Sequence, residues 1–389
     1  MRCMTCKKVF GSLFIILFCL FCSCGKIKTN VWLPSGNGEF IDLTMCMKSD
    51  GFYWEDILDS VKILSLETNE ESLIGEIVQV EFFEDRIFIY DMVLGGSVII
   101  FDTDGKFIKR LPCGNGPDEI SRVVGISFDK WNEELLVIQN PSIQRFSIDG
   151  NYIGNYDIPF PIDKLKVTKD EFVFSKMKGH KCNTIYDFDK YSIIITDRNI
   201  NILRMMLPYT SERSTTFMSE CEDSLTIAML GNDTIYNYNS DTLQVSYILN
   251  IPNKADVSSM NFDDMLKFLQ TTKPFTECFL GNYLENSSHQ FFEFEYGIYP
   301  YTLFRDKKNG NIGGGLGIMI DEGNKNLFAI KQPITLYNNW FVTIEQPYNY
   351  QKGQITSNQF ISHTDLSILE SLNNESNPFI VMYQLKPFE

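Results

Sequence analysis

The chain contains 389 residues, with 34 Lys and Arg against 50 Asp and Glu, so its formal net charge is −16 at pH 7. Nucleic-acid binding requires clustered basic residues that release counterions from phosphates, and the chain beyond residue 23 contains no basic run. Composition and charge therefore exclude a nucleic-acid-binding protein.

The first 23 residues have the pattern of an export signal. Three basic residues stand near the start, namely Arg2, Lys7 and Lys8, and an uncharged run from 9 to 23 follows them. This run is shorter than the roughly 20 apolar residues that a membrane-spanning helix needs, and it ends with a small residue before Cys24. We therefore expect residues 1–23 to be a signal peptide that is cleaved before Cys24.

The cleavage site resembles that of bacterial lipoproteins, in which the new amino-terminal cysteine receives the lipid. Phe21 stands where that family usually has leucine. An uncleaved membrane anchor and cleavage before Cys22 are the alternatives. The resemblance implies lipid attachment at Cys24, and each buried acyl CH₂ group would contribute about 0.8 kcal/mol to membrane binding. The sequence thus predicts a protein that is anchored to a membrane and does not span it.

Cleavage also removes four of the ten cysteines and the only two Cys-x-x-Cys spacings, and it leaves 31 basic against 50 acidic residues, a net charge of −19. Besides Cys24, the remaining cysteines are Cys46, Cys113, Cys182, Cys221 and Cys278. Their odd number and long spacings argue against a disulfide scaffold. We expect them to be buried free thiols.

Two regions follow the predicted signal. Residues 24–60 are interpreted as a tether and lead-in, because they begin polar and contain Pro34, Gly36 and Gly38. From Val61 to residue 389, short runs rich in Ile, Val, Phe and Tyr alternate with turn residues, a pattern typical of antiparallel strands. The second region is predicted to be one all-β domain.

An internal repeat identifies the architecture. The segment 101–108 aligns with 146–153 at an offset of 45 residues, and each copy contains an Asp-Gly turn, Asp104-Gly105 in the first and Asp149-Gly150 in the second. A unit of about 45 residues with four short strands is the size of one β-propeller blade, which needs neighbouring blades to bury its faces. The glycines would supply the positive φ that a tight hairpin requires.

Weaker copies of this unit follow along the chain, at residues 171–175, 225–229 with 234–238, 290–304 and 340–344. Their wider spacing allows six or seven blades and does not settle the count. Apolar residues at helical spacing predict two short helical insertions, over residues 261–272 and 365–372. We interpret both as helices that pack on the propeller rim, with partner binding as the alternative.

Several stretches of the chain resemble the six-bladed β-propeller lipoproteins of anaerobic Gram-negative bacteria, which are themselves similar to NHL-type propellers and largely of unknown function. The stretches are residues 66–68, 72–75, 87–91, 101–107, 114–119 and 377–386. Asp118 stands where that family usually has a second glycine. The resemblance implies that the first strand, Val61 to Leu66, pairs near Phe379 to Leu385 and closes the ring, and it implies location at the outer membrane.

Motifs for metal or phosphate chemistry are incomplete. Asp102 and Asp104 resemble the start of a calcium loop, but Cys113 stands where the bidentate Glu is needed. The glycine run 310–317 matches no phosphate-binding motif, and the three histidines, His180, His289 and His363, have no metal-ligand spacing. No cofactor or metal site is predicted, although side chains from several blades could assemble a divalent-metal site in the central channel.

The most function-like stretch is the loop containing Gly114, Gly116, Pro117 and Glu119. A rigid loop of this composition between two blades could present backbone amides and the Glu119 carboxylate at the mouth of the channel. The alternative is a structural connector in which Glu119 holds neighbouring turns together.

Turn motifs are plentiful and catalytic motifs are absent, including the Gly-x-Ser-x-Gly elbow beyond the signal. We therefore expect a non-catalytic binding module for a glycan, a peptide or an envelope protein. The alternative is an NHL-like metal-dependent lyase or hydrolase with its site in the channel. Lys26 and Lys28 replace the acidic run of surface-exported relatives, so the expected location is the periplasmic face of the outer membrane, with the cell surface as the alternative.

Overall fold

Short strands dominate the computed structural model, and the amino-terminal ones precede the repeating units in the chain. The structure describes residues 30–44, 52–93, 96–176, 190–209, 215–221, 224–257, 260, 262–272, 276–297, 299–316, 318–319, 330–350 and 360–388. The first elements are β1 (Asn30–Trp32), β2 (Glu39–Asp42), β3 (Phe52–Tyr53), the helical turn α1 (Trp54–Ile57) and β4 (Leu58–Leu64).

The strands that follow form antiparallel sheets in chain order. Blade 1 contains β5 (Ile77–Phe83), β6 (Arg86–Asp91), β7 (Ser97–Asp102) and β8 (Phe107–Arg110). Blade 2 contains β9 (Gly125–Asp129), β10 (Glu134–Ile138), β11 (Ser142–Ser147) and β12 (Tyr152–Asp157). Blade 3 contains β13 (Lys164–Val167), β14 (Glu171–Ser175), β15 (Tyr191–Asp197) and β16 (Ile202–Pro208).

The second half of the ring is built in the same way. Blade 4 contains β17 (Thr216–Cys221), β18 (Ser224–Met229), β19 (Thr234–Tyr238) and β20 (Leu243–Asn250). Blade 5 contains β21 (Glu277–Glu285), β22 (His289–Tyr296), β23 (Tyr299–Asp306) and β24 (Ile312–Leu316), and β25 (Ile318–Met319) follows it. Blade 6 contains β26 (Thr335–Tyr337), β27 (Trp340–Glu345), β28 (Phe379–Leu385) and, as its outermost strand, β4. The predicted six-bladed β-propeller is confirmed.

Both predicted helical insertions are present, between blades 4 and 5 as α2 (Phe262–Thr271) and between β27 and β28 as α3 (His363–Ser371). A 3₁₀ turn, Pro347–Asn349, follows β27. The helix α3 begins after Ser362, whose hydroxyl accepts a hydrogen bond from the Asp365 N–H, an ordinary N-cap. Met265 and Leu269 of α2 are buried beside Cys278 of β21, so this helix packs against blade 5.

The ring closes as the resemblance implied. In blade 6, β4 pairs antiparallel with β28, and Val61 lies opposite Tyr383. Trp54 packs edge-on against Tyr383, with ring centroids 5.1 Å apart, and also contacts Phe304 of blade 5. This aromatic contact joins the start of the domain to its last two blades, and the pairing covers the edge of β28.

The segment predicted to be a tether contributes strands to the propeller. Strand β1 pairs parallel with the outer strand of blade 3, β2 pairs parallel with the outer strand of blade 4, and β3 pairs with β25. These strands have two to four residues, too few for a recognisable alternation in the sequence. Only their long-range pairing defines them, so sequence patterns did not reveal them.

The two Asp-Gly turns join β7 to β8 and β11 to β12, and Gly105 and Gly150 have φ of +78° and +72°. The corresponding turn of blade 3 lacks glycine, and Ile200 takes its place at φ +65°. Asp197 holds that turn by accepting hydrogen bonds from two backbone N–H groups, as Asp102 does in blade 1. The side-chain-capped turn therefore recurs where the Asp-Gly pair does not.

Candidate functional site

The central channel of the propeller contains a cavity of about 470 Å³. All six innermost strands contribute to its wall, namely β5, β9, β13, β17, β21 and β26. This volume lies within the range of small-ligand sites, about 300–1,000 Å³. The cavity is the candidate functional site.

Charged side chains on one side of the channel form a connected group. The Lys166 Nζ atom lies 3.1 Å and 3.4 Å from the two carboxylate oxygens of Glu81 and 3.9 Å from Glu220. Lys166 faces the Glu220 Oε1 atom, and the Lys130 Nζ atom lies 3.4 Å from the Oε2 atom of the same carboxylate. Burial alone would lower the pKa of the Lys166 ammonium, but the two carboxylates outweigh burial and raise this pKa above its ordinary value. Lys166 is therefore a fully charged, structural cation.

Gly125, the first residue of the inner strand of blade 2, lies close to the Gln79 side chain of blade 1. A Cβ atom at Gly125 would lie 3.3 Å from the Gln79 Oε1 atom. The Gln79 side chain instead forms two hydrogen bonds with the backbone of Ile126, at 3.0 Å and 2.6 Å, and donates a third to Glu81 at 2.9 Å. A side chain from blade 1 thus covers the inner strand of blade 2.

Lys164 differs from Lys166 in its partners. Its ammonium lies 4.0 Å from the centre of the Phe217 ring, and within the described ranges no carboxylate comes within ion-pair distance of it. Burial lowers its pKa, and the positive charge of Lys166 adds to this, although Asp163 acts in the opposite direction. Burial also raises the pKa of Asp163, which lines the same cavity. Among the described residues, the channel thus contains a cation without an ion-pair partner.

One group of lining residues is apolar and exposed. Val78, Val124 and Ile334 are 47%, 47% and 42% exposed, and each stands at or just before the start of an innermost strand. Innermost strands of a propeller run in the same direction, so these three residues belong to one end of the channel. They form an apolar rim through which a ligand would enter.

The loop that sequence reasoning favoured is placed elsewhere. Gly114, Gly116, Pro117 and Glu119 are not among the residues that line the channel cavity. The Glu119 carboxylate accepts a hydrogen bond from the Gly116 N–H at 2.7 Å, and a Cβ atom at Gly114 would lie 1.9 Å from the same carboxylate. Glu119 thus bonds within its own loop, and the glycines provide the room for it.

The hairpin residues have structural contacts. The Asp104 N–H donates to the Asp102 carboxylate at 3.0 Å, and the Asp149 carboxylate accepts from Arg86 of blade 1 at 3.1 Å. Gly105 packs so closely that a Cβ atom there would lie 2.0 Å from the Ser65 carbonyl oxygen. These turns join neighbouring blades.

Histidine and cysteine residues do not converge in the described part of the chain. The His289 ring lies between the Ser288 hydroxyl and the Lys386 carbonyl, and burial lowers its pKa. His363 begins α3, whereas Cys24, Cys46, Cys182 and His180 lie outside the described residues. Over the described ranges, no group of three His, Cys, Asp or Glu side chains could hold a metal ion.

The expectation of buried free thiols holds for Cys278 and is wrong for Cys113. Cys278 is buried against α2, and burial raises its pKa to about 12. Cys113 is free but exposed, because it lies in the loop that joins blades 1 and 2. Cys221, at the end of β17, is half-buried.

A sequence signal for the channel lysines exists in retrospect. In β13 the lysines alternate with the buried residues Leu165 and Val167, so both lysines lie on the face opposite the core. Sequence reasoning missed them because alternation alone does not distinguish a channel-facing strand from a solvent-facing one.

The fold and site define a six-bladed β-propeller with a ligand-sized central channel. The chain belongs to the family of the domain of unknown function DUF4934, whose model matches residues 39–384. Among the curated proteins compared with it, none matches the chain. No helix in the described ranges combines the length and apolar composition that crossing a membrane requires.

One similar solved structure supports the fold, and two others are more weakly similar. A protein of Bacteroides fragilis NCTC 9343, described as a candidate exported protein, is similar at a TM-score of 0.67 and 14% identity, over 90% of this chain and 100% of that one. BamB of Moraxella catarrhalis gives a TM-score of 0.38 at 9% identity, over 64% and 66% of the chains. The WD40 domain of SCAP from fission yeast gives 0.39 at 12%, over 72% and 64%. The first similarity extends to the fold alone, and the other two carry no argument about function.

Proposed function

We propose that this protein is a non-catalytic binding module that receives part of a glycan, a peptide or an envelope protein in its central channel. The observation that carries the proposal is the cavity itself, which combines apolar residues at its rim with Lys164 at the start of β13, a cation without an ion-pair partner among the described residues. A few polar groups in a mostly apolar concave site are the usual composition of a ligand site. The metal-dependent enzyme is not favoured, because no metal-ligand group is found in the described residues.

The proposal includes a lipid on Cys24 that holds the propeller at the outer membrane, facing the periplasm. The support is the sequence pattern of residues 1–24. Metabolic labelling with a fatty acid should mark the protein and should fail in the Cys24→Ser variant. Protease treatment of intact cells should leave the protein whole, whereas cleavage would place it on the cell surface.

A rim substitution tests the channel. Val124→Trp places a large side chain at the opening, and Ile153→Trp places the same side chain on the outermost strand of blade 2, where Ile153 is similarly exposed at 46%. Labelled wild-type protein and the labelled Ile153→Trp variant should bind equally to arrays of immobilised glycans and short peptides. The binding signal of the Val124→Trp variant should be at least tenfold lower. Equal retention by both variants would place binding outside the channel.

A further inference from the structure

Several polar side chains of the channel wall are already hydrogen-bonded to other groups of the protein. The Gln79 side chain is bonded to Ile126 and Glu81, the Ser219 hydroxyl donates to the Tyr283 carbonyl at 3.2 Å, and the Asn282 amide donates to Glu293 at 3.0 Å. Recognition of a sugar ring requires several free donors and acceptors at fixed positions. The wall offers few of these, so the channel is poorly suited to a glycan.

Two neighbouring residues of the cavity wall, Asp163 and Lys164, have charged groups that could still bind a ligand. In the described part of the chain, the Lys164 ammonium has an aromatic ring and no ion-pair partner, and the Asp163 carboxylate has no hydrogen-bond donor. The other charged residues of the wall, Lys166, Glu81 and Glu220, neutralise one another. Asp163 and Lys164 thus offer one acceptor and one cation at adjacent positions.

We propose that the channel binds the carboxyl terminus of a peptide or protein whose last residue is apolar. The Lys164 ammonium binds the terminal carboxylate, and the Asp163 carboxylate accepts the N–H of the last residue. The apolar rim and Phe217 hold the side chain. A fatty acid would supply only the carboxylate, and a glycan would supply neither the apolar side chain nor this pair of groups. This inference rests on the proposed channel site and names its ligand.

Fluorescence anisotropy with labelled tetrapeptides tests the inference. The probe is fluorescein-Gly-Ser-Ala-Val with a free carboxyl terminus, compared with the same peptide as its terminal amide. The free acid should bind at least tenfold more tightly than the amide. Lys164→Gln should weaken binding of the acid by at least tenfold and Asp163→Asn by severalfold, whereas Lys164→Arg should retain it. Lys106→Gln is the matched control, because Lys106 is an exposed lysine in the blade 1 hairpin.

The outcomes separate this inference from the proposed function. Equal binding of acid and amide, or equal affinity of the Lys164→Gln and Lys106→Gln variants, would overturn the carboxyl-terminus ligand. Competition by octanoate as strong as that by the unlabelled peptide would assign the site to fatty acids instead. A further outcome is that the peptide shows no binding while another ligand binds the wild type and not the Val124→Trp variant. In that case the channel remains the binding site and only its ligand has been misidentified. Circular dichroism establishes that each variant is folded.

Discussion

Glu81 and Lys166 belong to blades 1 and 3, yet their side chains meet across blade 2, with the lysine Nζ atom 3.1 Å from a carboxylate oxygen. The two residues are 85 positions apart in the chain. Both side chains are largely buried, at 14% and 16% exposure. The pair therefore connects blades that are not neighbours, and it fixes one wall of the channel.

Loss of this cation should destabilise the propeller. Lys166→Met leaves the buried Glu81 carboxylate without its charged partner, and the free energy of unfolding should fall by about 2–4 kcal/mol. Lys130→Met removes the other lysine that pairs with Glu220, but Lys130 is 41% exposed, so that variant should lose less than about 1 kcal/mol. Urea unfolding measures the free energy of unfolding of both variants. Equal losses would show that the Glu81–Lys166 pair does not contribute to stability.

The close approach at Gly105 should be sensitive to a single methyl group. Gly105 and Gly310 both have φ of +78°, but a Cβ atom would lie 2.0 Å from the Ser65 carbonyl oxygen in the first case and 3.6 Å from the nearest atom in the second. Gly310→Ala should cost about 1 kcal/mol for the positive φ alone. Gly105→Ala should cost at least about 2 kcal/mol more, because backbone atoms must move. Thermal unfolding of the two variants isolates this steric contribution.

Asn377 should be essential to the segment that joins β4 to β5. Its buried side chain accepts from the Ile74 N–H at 2.9 Å and donates to the carbonyl oxygens of Glu67 and Ser72, both at 2.8 Å. Asn377→Ala removes these three hydrogen bonds. The Glu67 carbonyl still accepts from the Ser72 hydroxyl, so the Ile74 N–H and the Ser72 carbonyl are the groups that lose most, and we expect a loss of about 2–3 kcal/mol. Asn199→Ala, at an exposed turn, should change stability by less than about 0.5 kcal/mol. Hydrogen exchange in residues 66–75 should increase only in the Asn377 variant.

Glu277 should make stability depend on pH. The residue is 4% exposed, one carboxylate oxygen has no hydrogen-bond partner among the described residues, and burial raises the pKa of the carboxyl group from 4.5 to about 7. Between these values the folded state keeps a proton that the unfolded state has released, so stability falls as the pH rises from 4.5 to 7. This carboxyl contributes about 3 kcal/mol to the fall.

The Glu277→Gln variant tests this dependence, since it cannot release the proton. It should be more stable than the wild type above pH 7 and should show a flatter stability profile in urea unfolding. Glu293 and Glu295, whose pKa values burial also raises, should leave a residual slope. Glu375→Gln, at an exposed position, is the control. A profile identical to that of the wild type would contradict the assignment to Glu277.

Local patterns in the sequence were sufficient to predict a β-propeller, whereas the choice of six blades came from a family resemblance. The 45-residue offset and the turns at Gly105 and Gly150 define a blade, because strand alternation and positive φ depend only on residues near one another in the chain. Both helical insertions follow from apolar spacing in the same way. The closing of the ring came from a family resemblance, and the pairing of β4 with β28 confirms it.

Only the tertiary structure decided which residues share the channel. Alternation in β13 puts Lys164 and Lys166 on one face, but it does not say that Glu81 pairs with Lys166 or that Phe217 lies beside Lys164. Those neighbours come from different blades, and ring geometry brings them together. The parallel pairing of β1 and β2 with blades 3 and 4 has the same origin, since such short strands exist only through a distant partner. The sequence thus determined the blade, and long-range packing determined the site.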